Sequence, residues 1–391
     1  MDSNLSRRRF LAQLGYGSGL LVANSLLPGC HGSRSPHPTD IHFFATATLD
    51  IGTSGWRSLE EQVGARLLFK DNGNDAGPVI AQMNAGSAAT DYDLGGLLGG
   101  AEGVLASAGT ILPWDLSKIA NWNSEWQWAK NIDHARWNGR QFGLPLVVNA
   151  DSMIYLPDRL KAIQGYEAGV VDSYAAVFDP RLKGKTSMED AWVNSAVFAA
   201  IYLKRNNLVT IQDPGNLTET ELKAVMEFLI EKKREGQFRK LWSGWEQGVE
   251  LLRSGEVLVM TGWEPIVKAL NDQGVNAKYA IPREGYEGWS IDLLLHSGAS
   301  RRGVVDLCHN VANWLLAGFY GASLAQVRGY AVPNDSTYSY EKDRDPNVGP
   351  QVLATVDHVR NKALTTVYWQ NVRPDNFRLY EEWWSKLRSA S

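Results

Sequence analysis

The sequence is poor in cysteine: its 391 residues hold two, Cys30 and Cys308. Disulfide scaffolds need several pairs, so none is expected. No Cys/His cluster has zinc spacing, and neither a metal nor a cofactor motif is present. There is no GxSxG elbow and no HExxH helix. Asp/Glu pairs are too numerous to single out a glycosidase. An enzyme reading therefore has only absences behind it. A surplus of positive charge is also missing. The formal net charge is −4, which argues against nucleic acid, whose phosphates demand a basic face. Beyond the first thirty residues no segment is long and apolar enough to span a membrane.

What is there begins at the N-terminus. Ser6-Arg7-Arg8-Arg9-Phe10-Leu11 precedes an uncharged stretch that ends in Leu27-Pro28-Gly29-Cys30. Adjacent arginines before a weakly apolar run form a twin-arginine export address. The stretch carries Gln13, Gly15, Gly17, Ser18, Gly19, Asn24 and Ser25, too polar for a spanning helix of about 20 apolar residues. Leu-x-Gly-Cys resembles a lipoprotein cleavage site with Cys30 as the lipidated residue. These signs place the protein in the periplasm or at the cell surface, tethered through Cys30. Residues 1–30 are the expected signal and 31–40 a polar, proline-bearing linker.

The remaining length exceeds what one core usually serves, so two lobes are expected. Ile41 to Thr46 reads as a first strand. Ser58 opens a helical pattern with Leu59, Val63, Leu67 and Leu68 on one face, and another helix begins at Pro78. Tyr92-Asp93-Leu94 reads as a strand entering Gly95-Gly96-Leu97-Leu98-Gly99-Gly100, where glycines allow a tight turn or close approach to a ligand. Strands alternating with helices imply a parallel α/β fold.

The apolar run Phe142 to Ala150 is interrupted at Asn149 and Asp151, then resumes at Met153-Ile154-Tyr155. It is either a strand crossing between lobes, with those polar groups in a cleft, or a turn. Thr218-x-x-Glu221 is a capping box that opens a helix to about Gly236. Further helices are expected over Trp245–Arg253 and Val304–Leu316, and a strand over Val257–Met260. Cys308 falls on an apolar helix face as a small buried hydrophobe.

The 15 Trp are in excess, and such rings must pack or stack on something. Trp263, Trp289 and Tyr330 stand beside turn signals, where residues past a buried strand reach the crevice of an α/β sheet.

These segments together resemble a known family. Ser254-Gly-Glu-Val-Leu-Val-Met-Thr-Gly-Trp263, Ile281-Pro-Arg-Glu-Gly285, Trp289, Gly329-Tyr-Ala-Val-Pro-Asn334 and Trp369-Gln370-Asn371 follow the order of ABC-importer substrate-binding proteins. The spermidine/putrescine-binding branch is the nearest in pattern. The resemblance implies a two-lobed periplasmic-binding-protein fold of type II, with ligand in the cleft and closure by hinge motion. It implies lobe 1 from residues 41–148 and 291–335, and lobe 2 from 149–290 and 336–391. It also implies a monomer that passes a polyamine or related amine to a membrane permease. Carried over by residue, Trp263, Trp289, Tyr330 and Gln370 match pocket positions, and Asp190 matches a pocket acid.

The sequence departs from that pattern. Val193 stands where a second acid is usual, and Leu98 where a polar residue is usual. The acid after the second Trp falls one place late, at Asp292, leaving Ile291 in its position. Asp151 replaces a small residue and is expected to supply a compensating charge. A smaller or modified amine, or an amine-bearing zwitterion, is therefore expected in place of spermidine. The competing expectation is an exported carbohydrate-active enzyme or sugar-binding protein that uses the Trp-rich cleft.

Overall fold

The computed structural model describes residues 39–73, 75–86, 91–341 and 349–391. The expected signal, its Cys30 and the linker through residue 38 lie outside the described residues.

The chain opens with β1 (Thr39–Ala45), β2 (Ala65–Asp71), β3 (Leu94–Leu98) and the short β4 (Ile111–Leu112). A two-stranded ribbon follows, β5 (Arg136–Trp137) with β6 (Arg140–Gln141). Then come the long β7 (Gly143–Tyr155), β8 (Thr186–Glu189), β9 (Phe238–Trp242) and β10 (Val259–Gly262). The short β11 (Lys278–Tyr279), the long β12 (Tyr286–His296) and β13 (Val367–Trp369) complete the set.

All but the ribbon join one 11-stranded sheet whose main path is β2-β1-β3-β12-β7-β10-β8-β9. Its ends, β2-β1-β3 and β10-β8-β9, are parallel. Parallel neighbours require crossovers. Gly52–Val63 joins β1 to β2, and Trp192–Arg205 with Glu219–Arg234 joins β8 to β9. In the middle, β12 and β7 run antiparallel to each other and to their outer neighbours. The α/β expectation holds.

Each end of the sheet has its own core. One gathers Ile41, Phe43, Leu94, Leu144, Leu146 and Leu293. The other gathers Met153, Ile154, Val197, Met226, Trp242 and Met260. β7 contributes to both. Between its two apolar stretches stand Asn149, Asp151 and Ser152, all buried. The run is therefore one continuous strand rather than a turn, and its polar residues mark where it leaves one core for the other.

Several boundaries differ from expectation for local reasons. The helix placed from Ser58 starts at Gly52, because the Asp50 carboxylate accepts from the Gly52 N–H and the Trp56 indole. It stops at Val63, because Gly64 turns left-handed at φ 73°. Leu67 and Leu68 thus belong to β2. Gly95 and Gly96 lie inside β3, against neighbours too close for a side chain. A Cβ on Gly96 would sit 2.6 Å from Leu49 and 2.8 Å from the Ala45 Cβ. The capping box at Thr218–Glu221 forms as expected, and Cys308 is buried and free. Among the described residues no helix is long and apolar enough to cross a membrane.

Candidate functional site

In an extended strand residues two apart face the same side, so Asn149 and Asp151 point together. The β7–β12 register sets Asn149 opposite Trp289 and Asp151 opposite Glu287. Opposed residues share a face, so one small area collects two carboxyls, an amide and an indole.

Asp151 Oδ2 accepts from the Trp289 indole at 2.9 Å, and Oδ1 accepts from the Tyr279 hydroxyl at 3.2 Å. Behind them is a buried ammonium. Lys362 Nζ lies 3.0 Å from the Ala150 carbonyl, 3.2 Å from Asn149 Oδ1 and 2.6 Å from Glu264. It also lies 5.0 Å from the centre of the Tyr279 ring, within cation–π range. Burial lifts the Asp151 carboxyl to about 6, against the pull of Lys362 and the two hydrogen bonds. Burial works against Glu264 as well, yet His358 and Lys362 hold its carboxyl down at about 2.

Asp151 forms part of a cavity of about 350 Å³. Trp263 and Trp289 supply rings, as does Tyr330, whose ring meets Trp289 edge-on at 5.5 Å and 76°. Trp263 follows β10 directly and is braced by Trp242 at 5.0 Å and 82°. Gln370 is held by its own N–H on the Gly288 carbonyl at 2.7 Å. Glu189 and Asn194 add a second carboxyl and an amide, linked at 2.6 Å. Burial raises Glu189 to about 7, with Asn194 pulling it down and Asp151 pushing it up. Glu287 is fully buried, and neither of its oxygens has a hydrogen-bond partner. Burial, then Asp151 and Glu189, drives its carboxyl well above the usual range.

Five of the expected residues meet here: Trp263, Trp289, Tyr330, Gln370 and Asp151. Trp289 does so from within β12 rather than from beyond a strand end.

Two expected acids stand elsewhere, and both corrections follow from strand alternation. Asp190 comes one residue after Glu189, the last residue of β8, so the pair point to opposite sides. Its Oδ1 accepts from Trp384 at 3.0 Å and from Arg388 at 2.8 Å. It borders a separate, larger hollow with Trp192 and Glu381. The two hollows share only Leu98 and Val193. Asp292 is likewise one residue out of phase. Ile291 faces the cavity, while Asp292 turns behind β12 and is fully buried beside His134, 3.8 Å away. There it presses on Glu102, whose carboxyl is raised well above its ordinary value, first by burial and then by Asp292.

The residues that sequence reading missed are Glu189 and Asn194 in the cavity and, one layer behind, Glu287 and Lys362. Alternation could have found two of them: Glu287 shares phase with Trp289, and Glu189 ends a strand. Lys362 gives no local signal, since it reaches Asn149 across 213 residues.

Residues 61–341 match the family described as bacterial extracellular solute-binding protein. No curated protein matches the sequence. Among solved structures, the spermidine/putrescine ABC transporter substrate-binding protein of Streptococcus pneumoniae superposes with a TM-score of 0.65 at 11% identity, covering 90% of this chain and 98% of that one. The TpPotD lipoprotein of Treponema pallidum gives 0.67 at 15%, over 89% and 99%. The periplasmic binding protein MotA of A. tumefaciens B6, solved with glucopine, gives 0.62 at 15%, over 90% and 100%. At such identities the likeness concerns the fold, which is that of periplasmic binding proteins.

Proposed function

This chain belongs to the bacterial extracellular solute-binding protein family, whose members bind solutes for ABC transporters, and on that premise we propose that its solute is a small amine. The observation that carries this reading is the pair of carboxyls, buried Asp151 and half-buried Glu189, in one cavity with Trp263, Trp289 and Tyr330. A desolvated ammonium needs paired charge and hydrogen bonds, and ring faces attract cations. In this reading Asp151 and Glu189 pair the cation while Trp263 and Trp289 cover its methylenes. Tyr330, Gln370, Asn149 and Asn194 orient its polar remainder. A volume of about 350 Å³ is at the small end for ligand sites, which favours a compact amine over a long polyamine. Asp190 and Asp292 have no part in it.

The two ends of the sheet, with β7 and β12 between them, would act as lobes that close on the solute. A monomer exported by the twin-arginine route and held by a lipid on Cys30 would wait beside its permease.

A thermal-shift and calorimetric screen tests this reading. Putrescine, spermidine, 4-amino-1-butanol, 4-aminobutyrate and simple sugars are the probes. An amine is expected to raise the melting temperature, as tight binding to the folded state must, and Asp151→Asn is expected to abolish that rise. The tryptophans and amides would also suit a sugar, so a rise with sugars alone would replace the amine reading.

A further inference from the structure

Two carboxyls line the cavity, Asp151 on β7 and Glu189 on β8, and a third, Glu287 on β12, is buried behind them opposite Asp151. Their partners are unequal. Asp151 has the Trp289 and Tyr279 donors and Lys362 nearby. Glu189 has the Asn194 amide and, among the described residues, no cation beside it. Glu287 has neither donor nor cation, and it faces Asp151, Glu189 and the Tyr174 phenol. Among the described residues the one buried cation of the neighbourhood, Lys362, is shared with Glu264, which also holds His358. A single ammonium cannot balance four carboxylates in an interior where an unpaired charge is costly. The balance has to be made with protons until another cation arrives.

We propose that the cavity exchanges protons for its solute: Asp151, Glu189 and Glu287 share protons when it is empty and release at least one to solvent as a cationic group seats. No bond other than these O–H bonds breaks. The proton leaves to water and the ammonium takes its place as counter-ion. Binding is then tighter at higher pH, and acid drives release. The raised carboxyls of Asp151 at about 6 and Glu189 at about 7 place this exchange across the near-neutral range. Glu287, with neither donor nor cation beside it among the described residues, is held toward its protonated form by burial.

This inference rests on the amine reading, and the test separates the two. Calorimetric titration of the wild-type protein with 4-amino-1-butanol and with putrescine is run near neutral pH in phosphate and in ACES, buffers of small and large protonation heat. The expected result is a binding heat that differs between buffers by the equivalent of about half a proton or more. The affinity is expected to weaken as pH falls from 8 to 5, approaching about tenfold per pH unit for each proton released. Glu189→Gln is expected to reduce the buffer-dependent heat. Identical heats in both buffers with a pH-independent affinity would overturn the exchange while leaving amine binding in place. No binding of either probe would overturn both.

Discussion

The indole of Trp289 donates to Asp151 Oδ2 at 2.9 Å, from one long strand to the other. The ring that would lie against a solute is thus anchored by the charge that would pair it. Strand register makes this possible, because the two stand on the same face, two residues apart diagonally.

Trp289→Phe keeps most of the aromatic area and removes that donor. Hydrogen bonds to charged groups contribute about 1.5–3 kcal/mol. The variant is expected to bind its amine about tenfold more weakly or worse, with the Asp151 carboxyl rising further. Calorimetric affinity checks the first and a carboxyl-resolved NMR titration the second.

Asp190→Asn and Glu189→Gln, adjacent in sequence, are expected to behave oppositely. Asp190 ties the C-terminal helix through Trp384 and Arg388, and both partners of its ion pair are partly exposed, 56% for Arg388 and 28% for Asp190. Exposed pairs contribute about 0–1 kcal/mol, so its loss should lower the melting temperature slightly and leave affinity unchanged. Glu189→Gln should weaken amine binding by more than tenfold with little thermal loss. Paired melting and binding measurements decide both.

The stability of the empty protein should fall on both sides of a mildly acidic optimum. Asp151 and Glu189 hold protons more tightly folded than unfolded. Their contribution is complete below the ordinary values of 3.8 and 4.5, and is lost as pH rises through about 6 and about 7. Glu264 works the other way. Its contribution is present above 4.5 and is lost as pH falls toward about 2. Melting temperature against pH should therefore peak near pH 4–5. A saturating amine should flatten the alkaline limb. A curve that rises steadily to pH 8 would contradict the burial of these acids.

Gly96→Ala tests the packing of β3. The new methyl would press on Leu49 and on the Ala45 Cβ of β1, 2.6 and 2.8 Å away. The first can rotate and the second cannot. Overpacking of this kind costs about 1–3 kcal/mol, measurable by denaturant unfolding.

How far the site could be read from sequence depended on whether a residue's direction was settled locally. The capping box at Thr218 and the aromatic positions were legible, because each rests on neighbours within a few residues, whereas the run through Asn149 and Asp151 read equally as a strand or a turn. The acids were harder. Motif position pointed to Asp190 and Asp292, but each strand's phase turned those away from the cavity and set Glu189 and Ile291 toward it. Near Asp292 the β7–β12 register also shifts, between Ile291 and Asp292, and such an irregularity leaves no mark in composition. Lys362 was beyond reach, since its ammonium enters from a helix that only the tertiary fold brings to Asn149 and Ala150.

β7 is buried along its whole length and gives side chains to both cores. Neither core can melt alone without stripping from the other the strand they share. Two hydrophobic centres joined in this way unfold as one cooperative unit. A destabilising change at Leu144 would therefore be felt at Met153, and the whole would give a single heat-absorption peak.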